Sequence, residues 1–240
     1  MPSNLYAAEH ALVALHEHLV VGLIMMIPPD ARRVVEQATV LLPETKGLGV
    51  RVGCRNPLWG EFILTAAHCV EHYNSGGMAL GDSIEEEFIL RQDSGWPGEC
   101  YPAEVTFVDP VSDLAVLNVS PSVLVEFDEP SIPVPIADPV SFESGDMPIF
   151  IFSHLGKWIE GTAKIPDQRC GIVRITAVTG EGKSAILSGT SGGPVVDQKG
   201  NLLAIVSNSG DEDGIGSAPL LCEALPVWLW NEIAPEDESA

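Results

Sequence analysis

Short β-type runs, each closed off by turn residues, constrain this chain more than any other feature. Six lie at 38–43, 48–53, 61–66, 86–90, 103–108 and 113–119. Five more follow at 148–153, 159–165, 171–178, 194–197 and 201–207, with a short piece near Gly214. Glycine (23) and proline (19) punctuate all 240 residues, and many short strands at such spacing predict a β-sandwich or barrels. All-β is the expected class. A coiled coil would not carry so many turn residues, and a disordered chain would fall short of 45% hydrophobic residues. The stretch Asp197–Gly200 (DQKG) reads as a hairpin turn, with positive φ expected at Gly200.

Two segments read as helical. Residues 4–18 (NLYAAEHALVALHEH) form an amphipathic pattern that Asn4 can cap, and Leu225–Ile233 (LPVWLWNEI) reads as a closing helix whose tryptophans dock on the body. The apolar run 19–27 (LVVGLIMMI) could extend the first helix or form a buried strand. It is shorter than the about 20 residues that span a bilayer. No Lys or Arg precedes Arg32, and Pro28 and Pro29 follow the run without a small-residue cleavage site. Neither export nor membrane insertion is expected, and a cytoplasmic protein is.

Charge narrows the partners. Twelve Lys and Arg against 34 Asp and Glu give −22, a balance that repels phosphate backbones and anionic lipid. Nucleic acid and membrane are therefore not expected partners. Cys54, Cys69, Cys100, Cys170 and Cys222 show no CxxC pair, and their odd number cannot close fully within one chain. His16 and His18 diverge on a helix, and His72 follows His68 without a Glu between them, so no metal and no cofactor is expected.

Three local patterns carry chemistry, in a definite order. Phe62–Cys69 (FILTAAHC) runs a strand into a turn bearing His68. Asp113 opens the alternating strand DLAVL. Ser188–Pro194 (SGTSGGP) wraps glycines around Ser191. A serine hydroxyl needs a base within hydrogen-bond reach, and histidine has a pKa near the working pH. The base needs a carboxylate to fix its tautomer, and glycines beside the serine let backbone N–H groups turn toward a developing oxyanion. Ser191 N–H and Gly189 N–H are the expected pair.

These motifs, ordered His, Asp, Ser, resemble the trypsin/chymotrypsin-type serine peptidases over roughly residues 38 to 233. The phrasing of YPAEVTFVDPVSDLAVLNV and GGPVVDQKGNLLAIV is similar to the bacterial HtrA-like branch. The resemblance implies two antiparallel six-stranded β-barrels, 38–128 bearing His68 and Asp113 and 148–224 bearing Ser191. A connector at 129–147 joins them, a helical extension (1–37) precedes them, and a C-terminal helix with an acidic tail (225–240) follows. It implies a serine endopeptidase acting on protein or peptide substrates through an acyl-enzyme.

Departures from the family pattern carry expectations of their own. Thr190 stands where members matured by cleavage carry Asp, so activity should not depend on freeing a new N-terminus. By the resemblance, Ala185 floors the primary pocket and favours small or apolar side chains over basic ones, although Asp211, Glu212 and Asp213 rim it. Ser207, Asn208 and Ser209 resemble the strand edge that pairs with substrate backbone. Cys54 and Cys69 resemble the cysteine pair that flanks the histidine in extracellular members, while the compartment argues for free thiols. Leu187 replaces a further cysteine. The alternatives are a peptidase held inactive until assembled in an intracellular signalling or defence complex, and a non-catalytic binding protein on the same fold. Residues 1–37 would then dock a regulatory partner.

Overall fold

The computed structural model describes residues 27–55, 58, 60–70, 85–90, 99–124, 133–138, 145–165, 171–178, 186, 188–207 and 215–234. The expected helix at 4–18, the run 19–27 up to Ile27, Ala185, Leu187, Asn208, Ser209 and the acidic loop Asp211, Glu212 and Asp213 lie outside these residues.

The first six strands are β1 (Thr39–Leu42), β2 (Gly47–Gly53), β3 (Glu61–Thr65), β4 (Glu85–Leu90), β5 (Cys100–Asp109) and β6 (Leu114–Val119). All their pairings are antiparallel, and they close into a barrel in the order β1-β2-β3-β6-β5-β4. The second set is β7 (Gly145–Phe152), β8 (Trp158–Ile165), β9 (Ile172–Val178), β10 (Pro194–Val196), β11 (Leu202–Ile205) and β12 (Ile215–Pro219), ordered β11-β10-β7-β8-β9-β12. Its edge strands meet through the Ala204–Leu220 bridge and the Ser207 N–H, which donates to Ser217 O at 3.2 Å. The sheet thus nearly closes, and closure removes the unpaired strand edges that would otherwise recruit other chains. The chain is all-β with two six-stranded barrels.

Burial on both faces explains why FILTA and DLAVL are apolar almost without interruption. Successive strand residues point to opposite faces. Ile63, Leu117 and Val119 fill the first barrel with Val40, Leu42 and Phe88. Phe62, Leu64 and Val116 turn the other way, into a second core shared with Phe150, Phe152, Val196 and Leu202. That shared core is the seam between the barrels. Arg51, on the opposite face of β2 from the seam residues Val50 and Val52, is also buried, 2% exposed, with its guanidinium on the carboxylate of Glu61 (Nε–Oε2 2.8 Å).

Helix α1 (Pro29–Ala38) caps the seam. Proline at its first position and Asp30 in its first turn suit a helix start. Val35 and Ala38 enter the shared core, Glu36 Oε1 accepts the Trp158 indole N–H at 2.7 Å, and the Arg32 guanidinium lies 5.7 Å from the Trp158 ring centre. Ala38, expected to open the first strand, instead closes this helix. The described part of the connector binds both barrels, with Val134 N–H donating to Arg51 O and Ala137 N–H to Leu202 O. β7 begins at Gly145, so the last three residues of the stretch read as connector belong to it. Short helices α2 (Pro121–Leu124) and α3 (Leu221–Ala224) complete the turns. Helix α4 (Val227–Ile233) sends Leu229 and Ile233 into the shared core, and Arg55 pins its end by donating twice to Ala234 O.

Candidate active site

His68 lies on a single 3-10 turn (Ala67–Cys69) just past β3, and Asp113 ends the turn that leads into β6. β3 and β6 pair in register from Glu61–Val119 to Thr65–Ala115, which brings the two residues to the same end of the barrel. Asp113 takes φ +54, a left-handed conformation that Asp tolerates at a cost of about 1–2 kcal/mol. Four hydrogen bonds hold it there. Its carbonyl accepts from Ala67 N–H at 3.1 Å, and Oδ1 accepts from His68 N–H at 3.0 Å. Oδ2 pairs with His68 Nδ1 at 2.7 Å and accepts from Ser207 Oγ at 2.8 Å. The carboxylate thereby fixes both the position of His68 and the tautomer in which Nδ1 carries the proton. It also raises the histidine, whose pKa is pushed up to about 10 by the Asp113 hydrogen bond first and by the Cys69 side chain second, against an opposing effect of burial.

Ser191 comes from the second barrel, on the turn before β10. Its carbonyl accepts the Leu48 N–H at 2.7 Å, a bond that crosses to β2 of the first barrel. Gly192 N–H donates to Val206 O and Gly193 N–H to Thr190 O, so the turn is held on both sides of the serine. Gly192 has φ +78, and a Cβ built there would fall 1.8 Å from Leu48 O; only glycine fits. Gly189 also turns left-handed, at φ +92. Among the described residues, no protein acceptor takes the N–H of Gly189 or of Ser191. No hydrogen bond joins Ser191 Oγ to His68.

The structure therefore brings His68, Asp113 and Ser207 into one hydrogen-bonded group, and places Ser191 and Gly189 on the adjoining turn. Ala185, Asn208 and Ser209 fall outside the described residues. A cleft of about 410 Å³ opens beside His68 and Asp113, walled by Val111, Ile172, Ser207, Ala218 and Pro219. The sequence gives little sign of Val111 and Ile172 as walls, because one sits on the turn before β6 and the other opens β9, far apart in the chain. It also left His154 without a role. Its Nδ1 lies 3.2 Å from Thr190 Oγ1, beside the Ser191 turn. Among the described residues, no group of three or more His, Cys, Asp or Glu side chains gathers to hold a metal ion.

Cys54 and Cys69 do not pair, in line with the compartment argument. Cys54 and Cys69 are both free thiols. Cys69 Sγ faces Gly47, 2.4 Å from where a Cβ would stand, whereas Cys54 follows the opposite end of β2 and lies 3.8 Å from Glu232 Oε2. Seven strand residues separate the two ends, roughly 20 Å. That is beyond the roughly 7 Å between Cα atoms that a disulfide can bridge.

Comparison with curated protein sequences gives no match. Among solved structures, the chain is similar to an HtrA-type protease, AlgW, determined with a decapeptide. Identity is 21% with a TM-score of 0.48, over 77% of this chain and 50% of that one, so the chain spans half that protein's length. A family model described as trypsin-like peptidase domain matches residues 47–205, which run from β2 through β11 and take in His68, Asp113 and Ser191. With well over half of its length inside that match, the chain belongs to the trypsin-like serine peptidases.

Proposed function

We propose that the protein is a serine endopeptidase in which Ser191 is the nucleophile, His68 the general base and acid, and Asp113 the orienting carboxylate. The observation that carries this reading is the Asp113 carboxylate bound to His68 Nδ1, which leaves Nε2 as the proton acceptor. In the proposed cycle Ser191 Oγ attacks the scissile carbonyl carbon as its proton passes to His68 Nε2. The carbonyl oxygen becomes an oxyanion beside the N–H groups of Gly189 and Ser191, each such donor being worth about 2.7–4 kcal/mol in the transition state. The C–N bond breaks as His68 returns the proton to the departing amine. Water then repeats the steps on the acyl-enzyme and frees Ser191.

Substrate residues on the acyl side would lie in the cleft walled by Val111, Ile172 and Pro219, whose apolar surface suits apolar side chains. Ala185 as the pocket floor, and Ser207, Asn208 and Ser209 as the pairing edge, are assigned by the family pattern. A reducing, cytoplasmic setting is part of the proposal. The test is pre-steady-state hydrolysis of an activated ester. A burst of one leaving group per chain, absent from Ser191→Ala, is expected; a wild type without burst or turnover would contradict the reading.

One feature favours a second form of it, a peptidase at rest until a partner engages it. The Asp113 hydrogen bond favours the protonated form of His68, so a partner that loosens that bond would free the ring to act as a base. Thr190 also removes the cleavage switch. Burst amplitude that rises only when cell lysate is added would select this form.

A further inference from the structure

We infer that His154 is a positioning residue for the oxyanion-binding turn, taking the place of a cleavage-dependent switch. The inference rests on the peptidase reading of Ser191. The turn between β7 and β8 that carries His154 is itself rigidly tied. Ser153 N–H and Ser153 Oγ both donate to Lys157 O at 2.9 Å, and Gly156 N–H donates back to Ser153 O at 2.9 Å. From this base the His154 ring reaches the two residues that precede the nucleophile. Nδ1 lies 3.2 Å from Thr190 Oγ1, and a methyl group built on Gly189 would stand 3.4 Å from Cγ and Nδ1 and 3.5 Å from Cδ2. Three ring atoms at nearly equal distance mean that the ring turns its face to the point where a Gly189 side chain would begin.

The remaining ties of the turn lie on its other side. Ser191 O is held by Leu48, Gly192 N–H by Val206 O, and Gly193 N–H by Thr190 O. None of them restrains Gly189, whose φ of +92 aims its N–H. His154 does so from behind. Its ring covers the side-chain face of Gly189, and its Nδ1 anchors the neighbouring Thr190, which is wholly buried, through the hydroxyl. A threonine hydroxyl both donates and accepts, so the bond to Nδ1 forms in either tautomer of the ring. Thr190 thus supplies a neutral anchor where cleavage-matured members place a charged one. The oxyanion site is preformed without a new amino terminus.

The test compares wild type with His154→Ala, His154→Asn, Thr190→Val and the double variant His154→Ala/Thr190→Val, using a fluorophosphonate probe and an activated ester. Misplacing a reacting group by about 1 Å costs up to about 100-fold in rate. His154→Ala and Thr190→Val should therefore lose about 10- to 100-fold in phosphonylation rate and kcat, with KM within about twofold. His154→Asn, which keeps a polar atom near the Nδ1 position, should recover part of the loss. The double variant should be no worse than the more damaging single one, since both remove one interaction. Labelling of His154→Ala at the wild-type rate, or losses that multiply in the double variant, would overturn the inference. If His154→Ala does not fold, Thr190→Val and His154→Asn carry the same comparison. A wild type that fails to label contradicts the peptidase reading itself, and the role of His154 with it.

Discussion

The carbonyl oxygen of Ser191 accepts the N–H of Leu48 at 2.7 Å, so the residue proposed as nucleophile is tied by its own backbone to the opposite barrel. His68 and Asp113 belong to that first barrel, whereas Ser191 belongs to the second. Their mutual placement therefore depends on the seam, where Phe62, Leu64, Phe150 and Phe152 pack in one core. The site is a property of the junction between barrels.

Gly192 tests the junction. Any side chain there meets Leu48 O and Thr65 Oγ1, at a backbone φ of +78. Gly192→Ala should destabilise the fold by more than about 2 kcal/mol, the left-handed strain alone accounting for about 1–2. Urea unfolding should show a lowered midpoint, and ester turnover should be lost even at concentrations of urea far below it.

Asp113 governs the protonation of His68. In Asp113→Asn the charge-assisted hydrogen bond is gone, so the His68 pKa should fall from about 10 toward the ordinary histidine range, with Cys69 supporting the remainder. The sign follows from linkage. A raised pKa favours the folded state, fully below the unfolded value of about 6.5, and that contribution fades as pH rises through the folded value. Stability of wild type relative to Asp113→Asn should thus be greatest below about pH 6.5, shrink as pH rises from there, and be gone above about pH 10. NMR titration of the His68 ring checks the shift. Turnover of the variant should fall on the order of 10⁴-fold, because the amide favours the wrong tautomer. Loss of tenfold or less would mean that another carboxylate orients His68.

Arg51 and Glu61 form a buried pair whose loss should be asymmetric. Burial pulls the Arg51 pKa down and the Glu61 carboxylate opposes it. Glu61→Ala, which removes the charge that compensates a buried guanidinium, should cost about 3–5 kcal/mol in chemical denaturation. Arg51→Met combined with Glu61→Leu should restore most of that, since apolar replacement of a buried pair is often neutral or stabilising by about 1–4 kcal/mol.

Strand count and order of the catalytic motifs were legible because both are local. Each run, such as Phe62–Thr65, carries its apolar residues and its turn signals within a few positions. Gly200 likewise takes φ +86, with Asp197 Oδ1 accepting from Lys199 and Asn201 N–H as the DQKG turn requires. What escaped depends on register and on distant packing. Helix α1 reads weakly, since only Val35 and Ala38 of its residues are fully buried, and its helical form is supported by contacts with Trp158 and the seam. Whether Cys54 pairs with Cys69 stayed open because spacing does not reveal which end of β2 faces His68; Gly47 does, and Cys54 does not. His154 escaped because nothing near it in sequence points to Thr190, 36 positions away.

The most direct test is intact-mass analysis of the purified chain after exposure to a fluorophosphonate, beside Ser191→Ala. The account predicts one adduct per chain, located at Ser191 by peptide mapping and absent from the variant, with both proteins melting cooperatively at similar temperatures. An adduct on another residue, or none on a cooperatively folded wild type even after addition of cell lysate, would contradict it.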